Sequence, residues 1–94
     1  MFHASMTHHA MKRMQQRGIP ERVLPLLFEY GEEAYDHRGT ATLYFTKRSR
    51  QRLASIVPRD ELKRLSNALN AYVVVDQDGA VVTVGHRTQR INHD

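Results

Sequence analysis

The stretch Tyr72-Val73-Val74-Val75-Asp76-Gln77-Asp78-Gly79-Ala80-Val81-Val82-Thr83-Val84 decides the fold. Two runs of β-branched residues flank Asp78-Gly79, a dipeptide that accepts the left-handed backbone of a tight reversal, so the stretch reads as a β-hairpin. A two-residue turn pairs Val75 with Val82, Val73 with Val84 and Ala71 with His86 on one face. It sets Tyr72 opposite Gly85 on the other. His86 then ends a valine row, where the margin of a core meets solvent.

Working back from the hairpin, Leu62, Leu65 and Leu69 recur at helical spacing after Pro58, with Asn70 as the stop. Before them comes Lys47-Arg48-Ser49-Arg50-Gln51-Arg52, four cations in six residues, which runs into Leu53-Ala54-Ser55-Ile56 and reads as a short helix. Such a basic run is equally well a solvated face. Further back, Thr40 to Thr46 alternates, with Ala41, Leu43 and Phe45 on one side. His37-Arg38-Gly39 is the turn before it, so Glu33 to Thr46 reads as a second hairpin. A helix with Pro20 in its first turn ends at Gly31 and buries Val23, Leu24, Leu27 and Phe28. Pro25 either delays its start or kinks it. Thr7 caps a first helix from His8 to Arg17, with Gly18 just past its end. The order is helix, helix, strand, strand, helix, helix, strand, strand. It predicts an α+β fold, N-terminal helices and a central helical pair packed on a small antiparallel sheet, in a single domain over 1–94.

The composition bounds the function. Ninety-four residues allow one modest core. Eleven of the 14 Lys and Arg are arginine, against 10 Asp and Glu, for a net charge of +4. Arginine excess of this kind favours polyanionic partners such as nucleic acid. With no cysteine there is no disulfide framework and no thiolate metal site. No apolar run is long enough to span a membrane, and the first residues lack a secretory pattern, so the expected compartment is the cytoplasm.

The residues that carry chemistry gather at the two ends of the chain. His9, Arg13 and Arg17 run along one edge of the apolar stripe Ala10, Met11 and Met14 on the first helix, while His8 and Lys12 point elsewhere. His86 and Arg87 close the last strand, with Arg90 beyond. RNA is cleaved without metal when a base takes the 2′-hydroxyl proton and an acid protonates the leaving 5′-oxygen. Two imidazoles can do this while arginines stabilise the phosphorane. The catalytic candidates are therefore His9, His86, Arg13 and Arg17. Arg87, Tyr72, Lys47, Arg50, Arg52 and Arg90 are substrate-binding candidates, Tyr72 by stacking on a base.

This chemistry asks for no cofactor. His8 and His9 are adjacent and cannot both reach one ion from a helix, and the histidines lack the spacing of a zinc-protease helix. Each candidate also has a structural reading. His86 can be satisfied by a backbone carbonyl, and Arg13 and Arg17 can pair with Glu29, Glu32 or Glu33.

The combination of His9-Ala10, Arg13-Met14 and Arg17-Gly18-Ile19 with Val82 to Arg87 resembles the bacterial domain-of-unknown-function family numbered 4258. The likeness spans nearly the whole chain, although the helical pair between Lys47 and Leu69 is longer than in the simpler members. That family is similar in organisation to metal-independent ribonuclease toxins of the barnase, EndoU, colicin and RelE type. The resemblance implies N-terminal helices on an antiparallel sheet, with a site on the exposed sheet face, and it points to His9, Arg13, Arg17 and His86. The expected function is a small basic RNA-cleaving protein, the toxin of a pair with an antitoxin protein as partner. The alternative is a nonenzymatic basic module that holds RNA, the ribosome or a protein partner. DNA reading by the central helices is disfavoured, because Ser55-Ile56-Val57-Pro58 fills the junction where a helix-turn-helix needs its turn.

Overall fold

The computed structural model describes residues 5–36 and 38–87, so Arg90 lies outside the described residues. The elements are α1 (His8–Gln16), α2 (Val23–Tyr30), β1 (Glu32–Tyr35), β2 (Ala41–Tyr44), α3 (Lys47–Ile56), α4 (Arg59–Leu65), a 3-10 turn (Ser66–Ala68), β3 (Ala71–Val75) and β4 (Val81–His86). The strands form one antiparallel sheet in chain order. Ala10 and Met14 of α1, Leu27 of α2, Leu53 of α3 and Leu65 of α4 share one core with Leu43, Val73 and Val84 of the sheet. This is the α+β arrangement that the element order predicts.

Thr7 caps α1 by accepting from the Ala10 N–H at 3.2 Å. Its own N–H donates to the Val81 carbonyl at 3.0 Å, and the Val81 N–H donates to the Ser5 carbonyl at 2.8 Å. These bonds pin the start of α1 beside the start of β4. Ala10 and Met14 then bury against the sheet, and α1 runs alongside β4 in the same direction.

α2 starts at Val23 rather than at Pro20. The Pro20 carbonyl accepts from the Val23 N–H in a turn that precedes the helix. Pro25 is thereby the third helical residue, where the missing N–H has no intrahelical acceptor to lose. The buried face also differs from the expected one. Leu26 is buried and Phe28 is exposed, because α2 packs against both β2 and α3 and its covered arc extends to the Leu26 side. α4 stops at Leu65 and tightens into the 3-10 turn, short of the expected stop at Asn70.

Both hairpins are closed by three-residue loops with the pattern Asp-x-x-Gly. The Asp36 N–H donates to the Thr40 carbonyl and the Asp76 N–H to the Ala80 carbonyl, each at 3.0 Å. Asp36 Oδ1 accepts from the backbone of Arg38 and Thr40, and Asp76 Oδ1 from that of Asp78 and Ala80. Gly39 and Gly79 supply the left-handed residue, with φ of 82° and 83°. The two-residue turn expected at Asp78-Gly79 is therefore not formed. Val75 pairs with Val81, not Val82, and Val82 is the extra residue of a bulge that restores the expected register. Val73 faces Val84, Tyr72 faces Gly85 and Ala71 faces His86.

α3 begins with a reciprocal cap. The Thr46 hydroxyl accepts from the Ser49 N–H at 3.2 Å, and the Ser49 hydroxyl accepts from the Thr46 N–H at 2.7 Å. Among the described residues, no helix is long and apolar enough to cross a membrane.

Candidate functional site

The end of the sheet opposite the two Asp-x-x-Gly loops brings chemistry together. Glu32, Tyr44, Tyr72 and Gly85 lie in register across all four strands, on the face opposite to the core residues Leu43, Val73 and Val84. Tyr72 lies across β4 over Gly85. A Cβ on Gly85 would sit 2.9 Å from Tyr72 Cε1 and Oη, so the bare glycine is what lets the ring come so close. Tyr44 beside it is buried, and Tyr72 is partly exposed.

Strand alternation carries Arg87 onto this same face. Its guanidinium carbon is 5.2 Å from the centre of the Tyr44 ring, a cation–π contact. Arg87 Nε is buried and has no hydrogen-bond partner among the described residues. Arg50 comes in from α3, donating through Nη2 to the Leu69 carbonyl at 3.2 Å. Burial first, and the charge of Arg50 second, push the Arg87 guanidinium below its ordinary value, while Tyr44 acts in the opposite sense. Two cations thus reach the Leu69-Asn70 loop side by side, and neither forms an ion pair with a carboxylate among the described residues. Among the described residues the single ion pair is Arg22 with Glu61, on α4.

His86 points to the opposite side of β4, and both of its ring nitrogens are engaged. Nε2 lies 3.0 Å from the Arg17 carbonyl, which can only accept, so Nε2 donates. Nδ1 lies 2.7 Å from Asn70 Oδ1, within hydrogen-bond distance of that side-chain amide. The Arg87 N–H donates to the Asn70 carbonyl at 2.8 Å. His86 therefore ties together the end of α1, the Leu69-Asn70 loop and the end of β4.

The other candidates separate into two groups. Arg17, at the end of α1, and Lys47, the first residue of α3, come to the His86 end of the fold with exposed side chains. His9 does not, because it sits in the first turn of α1. Eight residues separate it from Arg17, about 12 Å along the helix axis at the usual rise. Arg13 Nε donates to His9 Nε2 at 3.4 Å, so these two pair with each other. Arg52 lies two residues after Arg50 on α3, roughly 160° away around the helix. The basic run is thus divided, with Arg50 on the site and Arg52 on another side of α3.

Tyr44 and Asn70 join the site although the sequence marks neither as a site residue, Asn70 being read there only as a helix stop. Tyr44 occupies the outward phase of an alternating strand, and only the β2–β3 register places it beside Tyr72. Among the described residues no group of three histidine, aspartate or glutamate side chains converges as a metal site. No protein-family model matches the chain, and no curated protein or solved structure matches it either. The likeness to the family numbered 4258 thus rests on the residues quoted for it.

Proposed function

We propose that this protein binds single-stranded RNA on the sheet face formed by Tyr44, Tyr72, Gly85 and Arg87, with Arg50 at its border. The observation that carries this reading is Arg87 stacked on Tyr44 next to Tyr72. Planar side chains of both kinds stack on a base, and guanidinium groups without a carboxylate partner among the described residues donate to the phosphate that follows it. Arg17 and Lys47 extend the positive charge around this end of the fold, and the net charge of +4 favours a polyanion as a whole. RNA as the partner fits a cytoplasmic location.

Binding is favoured over cleavage by the same geometry. A two-histidine mechanism asks each imidazole to come within hydrogen-bond reach of one phosphodiester, directly or through one water. His86 has both nitrogens engaged within the protein, and His9 is about a helix length away. If the chain is the toxin of a toxin–antitoxin pair, an acidic antitoxin would compete with RNA for this face.

Fluorescence anisotropy with a mixed-sequence single-stranded RNA tests the reading. The parent protein binds, Tyr72→Ala and Arg87→Ala each lose about tenfold or more in affinity, and the RNA is recovered intact. Equal binding by both variants would refute this face as the site. Cleavage of the RNA by highly purified protein, lost in His86→Ala, would restore the enzymatic reading.

A further inference from the structure

We propose that the notch between Arg87 and Arg50 takes a terminal phosphate monoester, so that a bound strand is held by its phosphorylated end. This inference rests on the RNA reading above and adds which part of the strand the site selects. Three features of the notch lead to it.

The first is the orphaned donor. Arg87 Nε is buried beside Tyr44 and has no hydrogen-bond partner among the described residues. A buried charged donor left unpaired is costly, and an anion is the partner that relieves this. The second is charge. Arg50 and Arg87 are bonded to neighbouring carbonyls, those of Leu69 and Asn70, and neither forms an ion pair with a carboxylate among the described residues. Two adjacent guanidinium groups call for two negative charges. An internal phosphodiester supplies one, whereas a terminal monoester supplies close to two near neutral pH and has three oxygens to receive the donors.

The third feature is placement. Arg50 uses Nη2 on the Leu69 carbonyl, and the Arg87 backbone N–H is held by the Asn70 carbonyl. The Arg50 side chain is held by this loop and the Arg87 guanidinium by the Tyr44 ring, so less ordering is needed on binding than for two free side chains. Tyr72 lies one strand over from Tyr44 on the same face, where the base next to the terminal phosphate would stack.

The test compares three RNA hexamers of one sequence, bearing a 5′-phosphate, a 3′-phosphate or hydroxyls at both ends, in competition for the full chain at fixed salt. At least one phosphorylated hexamer binds about tenfold more tightly than the unphosphorylated one, the gain expected of additional charge-assisted hydrogen bonds. Which one does so identifies the end that is read. The advantage shrinks below about pH 6, where a monoester takes up its second proton and a diester does not. It disappears in Arg87→Lys, whereas Tyr72→Ala weakens all three hexamers alike. In a parallel NMR titration, inorganic phosphate shifts the Arg87 Nε–Hε signal.

Equal affinity for the three hexamers, with that signal unmoved by inorganic phosphate, overturns the notch and leaves RNA binding standing. Failure of every hexamer to bind, while inorganic phosphate still moves the signal, overturns the RNA reading and leaves the phosphate notch standing.

Discussion

His86 donates from Nε2 to the carbonyl of Arg17 at 3.0 Å, a bond between residues 69 positions apart in the chain. It fastens the end of β4 to the end of α1, while the second ring nitrogen holds Asn70 at the mouth of β3. In this account the imidazole is a clasp that shapes the cationic end of the sheet, and the arginines and tyrosines around it meet the ligand.

His86→Ala is therefore expected to act on stability. Removing the ring forfeits its bonds to the Arg17 carbonyl and the Asn70 amide, at a net cost of about 0.5–1.5 kcal/mol each. In a domain of this size each kcal/mol lowers Tm by about 4–8 °C. Thermal unfolding followed by circular dichroism measures it. An unchanged Tm accompanied by loss of RNA cleavage would instead mark the ring as a proton-transfer group.

Gly85→Ala places a methyl 2.9 Å from the Tyr72 ring, so Tyr72 must leave its position across β4. RNA affinity should fall about as far as in Tyr72→Ala, roughly 1–3 kcal/mol of stacking. Overpacking at this site should add a smaller stability loss. An affinity equal to that of the parent would detach Tyr72 from binding.

Salt dependence separates two arginines that are close in sequence. Each phosphate contact to a single strand contributes about 0.7 to the slope of log affinity against log salt. Arg50→Ala should flatten the slope by about that amount. Arg52→Ala should leave it unchanged, because that side chain lies on a different side of α3. Equal flattening by both substitutions would mean that α3 meets RNA as an undivided basic run.

The same pair illustrates what the sequence could and could not disclose. The valine hairpin fixes its own pairing from Tyr72 to Gly85, since β-branched alternation carries register information within a hairpin. The turn defeated a two-residue reading because Asp76 organises the loop from one position earlier, as Asp36 does in the other hairpin. Pairing between β2 and β3 is set across two intervening helices, and no local pattern announces that Tyr44 meets Tyr72. A run of cations likewise does not state which of its members turns toward a distant loop. The direction in which the His86 ring points was within reach, since strand alternation put it on the core side, but its partners Arg17 and Asn70 depend on how α1 lies along β4.

Acid should loosen the first hairpin before the rest of the fold. The Thr40 hydroxyl, then the Arg38 N–H, hold the Asp36 carboxyl below its ordinary value. A carboxylate with a depressed folded pKa contributes stability above its unfolded value, about 3.9, and that contribution is lost as pH falls through the folded one. The parent should therefore lose stability on acidification below about pH 4. Asp36→Asn should be less stable near neutral pH and should show a shallower acid loss. Hydrogen exchange at Arg38 and Thr40 reads this directly, and identical acid profiles for the two proteins would remove Asp36 from the account.

The most direct test of the central claim is an NMR titration of the isotopically labelled protein with a short single-stranded RNA. The signals of Tyr44, Tyr72, Gly85, Arg87 and Arg50 are expected to move together and saturate with one affinity. Gly39 and Gly79, in the loops at the other end of the sheet, should stay in place. RNA that moves none of these five signals, or only those of His9 and Arg13 at the start of α1, would contradict it.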